Sequence, residues 1–296
     1  MKDIINLNQM FQTNECDFDV LLQQGKIGQV FGASHAVYTF QQSDTKYYFK
    51  EMPIRELINE LVALKIGNLV DIPMVELEVA TLNQAYGTLS KDFQQPGDKK
   101  VALPNVLGEY FESSIEDEES LLDFLTLKKL NNLEDIWFAL EEKYQDTAMV
   151  AATMNSIVDI FCFDMLTGQS DRHLGNIELL ENNGRIRIAP CYDNSSIYGG
   201  NSSLLGVDFD DFGTSSEVEK LSKFLTISSN EFVDRFFTMQ QKLEQVGIDA
   251  ILDSVVDDYS IPIYPEIRTD LVRGYQQQMQ VIGQCKDKLD FSHKRK

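Results

Sequence analysis

The chain has 296 residues, 43% hydrophobic and 25% charged, the composition of a globular protein with ample interior to bury. Its formal net charge of −21 argues against general nucleic-acid binding, which relies on Lys and Arg neutralising phosphates, and against docking on anionic lipid. The short basic tail Lys294-Arg295-Lys296 is too small to reverse that balance.

The opening Met1-Lys2-Asp3-Ile4-Ile5-Asn6 lacks the basic and apolar regions of a signal peptide, so action in the cytoplasm is expected. Next comes a glycine-bearing run, Gly25-Lys26-Ile27-Gly28-Gln29-Val30-Phe31-Gly32-Ala33-Ser34. Its glycines would let backbone N–H groups approach phosphate oxygens. It is neither G-x-G-x-x-G nor a Walker A sequence, and a plain hairpin turn fits it equally well. Strands are predicted around Val37–Phe40, Lys46–Lys50, Val75–Leu82 and Ala85–Ser90. Between them Leu57, Ile58, Leu61, Val62, Leu64 and Ile66 space out an amphipathic helix over Ile54–Leu69, stopped near Gly67-Asn68. The polar, turn-rich segment Gln94–Lys100 reads as a loop.

Helical patterns dominate thereafter: Glu118–Leu130, Leu133–Tyr144, Ala148–Leu166, Ser216–Phe224, Asn230–Val246 and Arg268–Leu289. No run approaches the ~20 apolar residues of a membrane span. The four cysteines (Cys16, Cys162, Cys191, Cys285) form no CxxC and suit reduced thiols, with a disulfide still open. A strand-rich first half and a helical second half imply an α+β, two-lobed layout. The lobes are assigned to residues 1–92 and 93–296, with the boundary between Leu89 and Glu112.

One hairpin interrupts the helical half. Asp171-Arg172-His173-Leu174-Gly175-Asn176 leads into Ile177–Leu180, then Asn183-Gly184, then Ile186–Tyr192 and Asp193. Asn-Gly between alternating segments signals a type I′ turn, which needs positive φ at both central residues. Antiparallel pairing about that turn puts Asn176 near Cys191 and Asp193 near Leu174, with Asp171 in the preceding loop. A carboxamide and a carboxylate so gathered suit Mg²⁺, which prefers oxygen ligands and shares them with phosphates. The Asp-x-x-x-x-Asn spacing matches the kinase catalytic loop, where the Asp accepts a hydroxyl proton and the Asn holds a metal.

Asp171 is accordingly the expected base, and Asn176 and Asp193 the expected metal ligands. His173 belongs to the catalytic loop, more as a conformational support than as an acid or base. Arg172 is expected to pair with a nearby carboxylate. Upstream, Lys50 on its strand and Glu60 on its helix match the lysine–glutamate clamp on ATP phosphates. A solvated strand-end lysine and a surface carboxylate are the plain alternative. Asp211-Phe212-Gly213 matches the metal motif of protein kinases literally. It lacks the hairpin that would bring it beside Asn176, so the metal is assigned to Asp193. Asp208 and Asp210 could touch an ion or a basic substrate.

The ordered set Lys50, Asn59-Glu60, Asp171–Asn176 and Ala189-Pro190-Cys191-Tyr192-Asp193 resembles the HipA-like serine/threonine kinases, relatives of the phosphatidylinositol 3- and 4-kinases. The likeness is specific over Ala148–Ser196, looser over Lys46–Phe93 and absent from most of the last third. It implies an ATP- and Mg²⁺-dependent protein Ser/Thr kinase, a compact core without an N-terminal accessory domain. Lys50 would contact the nucleotide phosphates, with Gly28 and Gly32 in the loop that covers them. Such kinases can be silenced by autophosphorylating a serine in that loop, for which Ser34 is the nearest candidate. Gln169 stands where relatives often carry Asn. The resemblance further implies a protein substrate and allows a regulatory or antitoxin partner, and a toxin or an effector secreted without a signal peptide. A lipid or small-molecule kinase and a nucleotide-binding pseudokinase remain alternatives.

Overall fold

The computed structural model describes residues 2–11, 27–30, 35–42, 44–128, 130, 132–198, 221, 225 and 229–293. Gly32, Ser34, Cys16, the basic tail, Asp208–Gly213 and most of the expected helix over Ser216–Phe224 lie outside them.

The first half builds a six-stranded sheet. Its members are β1 (Ile5–Asn6), β2 (Gly28–Val30), β3 (Val37–Gln42), β4 (Thr45–Glu51), β5 (Glu78–Leu82) and β6 (Ala85–Lys91), in the order β1-β5-β6-β4-β3-β2. A short helix, α1 (Leu7–Met10), follows β1, and Asn6 caps it by accepting from the Gln9 N–H. All neighbours pair antiparallel except β1 with β5. Alternation divides the strands cleanly. Tyr38, Phe40 and Phe49 turn to one face, where Leu7, Ala80, Leu82 and Leu89 complete a small core and Tyr38 stacks on Phe49. Tyr48 and Lys50 take the opposite face.

Helix α2 (Ile54–Leu69) crosses that second side. Its buried set includes Leu57, Ile58, Leu61, Val62, Ala63, Leu64 and Ile66, wider than one stripe because neighbours surround it. It ends at Leu69, as its spacing predicts, and a Cβ at Gly67 would crowd the flexible Met74 side chain. The larger core contains α2 together with the helical half, so the two halves share one apolar interior.

The second half contains α3 (Leu103–Tyr110), α4 (Glu118–Leu127), α5 (Leu133–Tyr144), α6 (Thr147–Thr167), α7 (Asn230–Val246), α8 (Ile248–Tyr259) and α9 (Pro265–His293). Asp117, Asn132, Asp146 and Ser229 cap four of these, each accepting a backbone N–H of the first turn. By length and composition α6 could cross a membrane, contrary to the sequence expectation, yet 61% of its apolar window is buried within the fold. It is the central helix of the larger core, and no membrane span is supported.

One correction concerns the segment read as a loop through Lys100. β7 (Lys99–Ala102) pairs with β8 (Glu178–Asn182), which pairs with β9 (Arg185–Ile188), giving a second sheet in the order β7-β8-β9. Helices α3 and α8 were also not expected. The three described cysteines, Cys162, Cys191 and Cys285, are free and buried.

Candidate active site

The site is built outward from the hairpin. Asn183 and Gly184 have φ of 51° and 76°, as a two-residue type I′ connection requires, and Asn182 pairs with Arg185. The ladder extends to the bond from the Ala189 N–H to the Glu178 carbonyl at 2.8 Å and then stops. Here the expected pairing is corrected. Residues 174–176 form a 3₁₀ turn, while Cys191 joins the chain after α2 through bonds to Pro73 O (2.7 Å) and from Val75 N (3.0 Å). Asn176 and Cys191 are therefore not ladder partners. The two segments still run side by side, because the Tyr192 hydroxyl donates to the Gly175 carbonyl at 3.2 Å.

Arg172 ties the pieces together. Its guanidinium is 3% exposed and bonds the Asp164 carboxylate of α6, the Tyr192 carbonyl at 2.7 Å, the Cys191 sulfur at 3.2 Å and the Asn194 carboxamide. One planar cation thus locks the loop at 171–176, the central helix and the segment around Asp193. Burial raises the Asp164 carboxyl to about 6, with Arg172 opposing that rise. Burial likewise pushes the Cys191 thiol to about 12, so it packs as an inert thiol.

Asp171, immediately before this anchor, is exposed to solvent. His173 is exposed too, and its Nδ1 accepts the Gly175 N–H at 3.1 Å, capping the 3₁₀ turn that carries Asn176. That contact assigns the imidazole a loop-supporting role. Asn176 is 8% exposed, and among the described residues nothing is hydrogen-bonded to its carboxamide.

From the sheet, Lys50 on β4 extends its ammonium to within 2.6 Å of an Asp193 carboxylate oxygen. Among the described residues its ion pair is with Asp193, not with Glu60. Glu60 is 4% exposed and accepts the Asn194 N–H at 2.9 Å. Burial lifts its carboxyl to about 7. Lys50 and the Asn194 hydrogen bond pull downward, and the Asp193 charge pushes upward. Asn59 donates to the Ser195 carbonyl at 2.6 Å, and Gln169, fully buried, donates to the Asp193 carbonyl at 3.1 Å. Asp193 itself has a left-handed φ of 58°, uncommon outside glycine.

Gly28 is a strand residue in β2, where a Cβ would lie 2.9 Å from the Thr39 hydroxyl. His35, just before β3, pairs with Glu56 of α2 at 2.6 Å. Gly32 and Ser34, between these points, are outside the described residues.

Lys50, Glu60 and Asp193 thus meet around residues 193–195, while Asn176 and Asp171 are tied to the same segment through Gly175 and Arg172. Sequence reading missed Asp164, Asn194 and the direct hold of Asn59 on the loop. Nothing in their local pattern marks them, since each acts through a contact distant in sequence. Gln169 had been singled out, and its role in holding the Asp193 carbonyl emerges only from the fold. The donor set fits Mg²⁺ and a nucleotide: hard oxygens from a carboxamide and a carboxylate, with an ammonium already seated on that carboxylate.

A family model, the HipA-like C-terminal domain, matches residues 30–259. None of the curated proteins compared matches the chain. Among solved structures, the Helicobacter pylori proinflammatory kinase CtkA is 18% identical with a TM-score of 0.60, covering 89% of this chain and 96% of that one. HipA of Shewanella oneidensis MR-1, solved with HipB and operator DNA, is 14% identical with a TM-score of 0.52. That match covers 89% of this chain and 64% of HipA. With its strand-rich sheet, helical half and hairpin-borne site, the chain has a kinase-like α+β fold and belongs to the HipA-like C-terminal domain family.

Proposed function

We propose that this protein is an ATP- and Mg²⁺-dependent kinase that transfers the γ-phosphate to a serine or threonine hydroxyl of a protein. In this reading residues 1–92 form the nucleotide-covering lobe and residues 93–296 the catalytic lobe. One observation carries it: Lys50, from the sheet, reaches the carboxylate of Asp193, which follows a hairpin whose other end carries Asn176 and Asp171.

Phosphoryl transfer needs positioned charge more than covalent chemistry. Lys50 neutralises charge on the nucleotide phosphates. Asn176 and Asp193 supply the oxygens that would hold Mg²⁺, whose contribution when bound is to neutralise and align those phosphates. Asp171, exposed where an acceptor can approach, takes the proton of the attacking hydroxyl. Arg172 and Gln169 keep these groups in register.

The HipA–HipB assembly motivates a regulatory protein partner here too. With a net charge of −21, direct contact with DNA is not part of this proposal. We place the activity in the cytoplasm, with delivery as an effector as a further destination to test.

The test is incubation of the purified chain with Mg²⁺ and γ-labelled ATP against separate protein, lipid and small-molecule pools, followed by phosphosite mapping. Label in protein hydroxyls is expected, and a self-modified serine would be found by the same mapping. Label confined to lipids or small molecules would overturn the acceptor assignment. Mg²⁺-dependent ATP binding without turnover on any pool would make the protein a pseudokinase.

A further inference from the structure

Four consecutive backbone positions, 192 to 195, are gripped by side chains from outside the segment. Arg172 holds the carbonyl of Tyr192 and Gln169 that of Asp193, and both belong to the helical half. The other two holds come from α2: Glu60 accepts from Asn194 N–H at 2.9 Å, and Asn59 donates to Ser195 O at 2.6 Å. α2 is itself braced against the C-terminal helices by Lys65–Asp258 and Arg55–Asp270.

We propose that Asn59 and Glu60 are positioning residues for Asp193, acting on the backbone of the two residues that follow it rather than as a clamp on Lys50. The inference rests on the kinase reading of this site. Asp193 must be held at a left-handed φ of 58°, and nothing in an aspartate favours that conformation strongly. The Asn194 N–H belongs to the peptide plane that follows Asp193, and the Ser195 carbonyl lies two planes further on, so Glu60 fixes the adjacent plane and Asn59 the path of the chain beyond it. The carboxylate direction, and so its approach to both Lys50 and a metal, follows from where α2 lies.

The two roles make opposite demands on Glu60. A clamp on Lys50 requires a negative charge. A backbone acceptor requires only an oxygen at that place, which a glutamine also supplies. Glu60 is 4% exposed and within hydrogen-bond reach of Asn194, so a glutamine oxygen can replace the carboxylate oxygen without new volume.

The test compares Glu60→Gln, Glu60→Ala and Asn59→Ala in the whole chain. The readouts are kcat and KM for ATP, the Mg²⁺ concentration for half-maximal rate, and amide hydrogen exchange across residues 192–197. Glu60→Ala is expected to lose ~100-fold in kcat, shift half-maximal Mg²⁺ upward and expose the Asn194 amide to exchange. Glu60→Gln is expected to recover most of that rate and all of the protection. Asn59→Ala, a milder change, is expected to lose about tenfold, again with faster exchange. A Glu60→Gln rate as low as that of Glu60→Ala would overturn the proposal in favour of a charge clamp. Unchanged exchange in both alanine variants would also overturn it. If the wild-type chain transfers no phosphate, the function fails, but Asn194 protection retained in the Glu60→Gln variant and lost in the Glu60→Ala variant would still support the positioning role.

Discussion

The Lys50 ammonium lies 2.6 Å from the Asp193 carboxylate although 143 positions separate them in the chain. The contact joins the six-stranded sheet to the far end of the hairpin, and it places a cation on the group assigned to the metal. Lys50→Met is expected to raise KM for ATP and to lower kcat ~100-fold, because both phosphate neutralisation and the hold on Asp193 are lost. Steady-state phosphotransfer at varied ATP decides. An unchanged rate would remove Lys50 from the site.

Asp171→Asn and Asp193→Asn preserve shape while removing the proposed base and the charge of the proposed metal ligand. Each is expected to lower phosphotransfer by at least ~1,000-fold, while the thermal unfolding midpoint shifts little. Comparing melting curves with rates separates chemistry from folding. Full activity in either purified variant would refute its assignment.

Arg172 and Asp164 are both almost fully buried, with a contact of 3.1 Å, so removing one partner strands the other. Asp164→Ala is expected to cost about 3–5 kcal/mol of stability, measured as a lowered denaturant midpoint. The same change should release the chain around Asp193, so any residual folded protein should also lose activity. A midpoint equal to that of the wild type would contradict the anchoring role.

Burial holds the Glu60 carboxyl near 7, above the 4.5 of an ordinary glutamate. Between those values the folded chain takes up a proton that the unfolded chain does not, so this group's contribution falls as pH rises through that window. Glu60→Gln has no such proton to take up. Its stability relative to wild type should therefore grow from pH 5 to pH 8, read from denaturant unfolding at the two pH values. Parallel behaviour of the two proteins would show that Glu60 is ionised throughout.

At the hairpin tip Gly184 has φ of 76° with open space around its absent Cβ. Gly184→Ala should therefore cost about 1 kcal/mol through backbone strain alone, with no steric clash and little change in rate. Thermal unfolding and phosphotransfer measured side by side would check both halves of that statement.

Much of this architecture is written in local pattern. The spacing of Leu57, Ile58, Leu61 and Val62 places α2 at Ile54–Leu69. The Asn183-Gly184 pair sets the register Leu179 with Ile188, since a two-residue turn leaves one pairing open. α8 was not expected, yet its pattern was legible, because Ile248, Ile251, Leu252 and Val255 repeat at helical spacing and all are buried. β7 was not, because Lys99-Lys100-Val101-Ala102 carries too short an alternation to stand without β8 beside it. The 3₁₀ turn at 174–176 and the departure of Cys191 toward Pro73 had no local signal either. They arise because the chain after α2 competes for the same backbone donors and acceptors.

What the amino-acid order determined alone is the inventory: a strand lysine, a helix with Asn59-Glu60, a loop with Asp171 and Asn176, and a turn that leads to Asp193. Those features depend on neighbours a few residues away, through side-chain period, turn conformation and cap chemistry. Partnership was decided only in three dimensions. Lys50 meets Asp193 and Glu60 meets Asn194 because burial leaves each polar group to find its complement among whatever the fold brings near. That choice depends on packing across more than a hundred residues, which no local window contains.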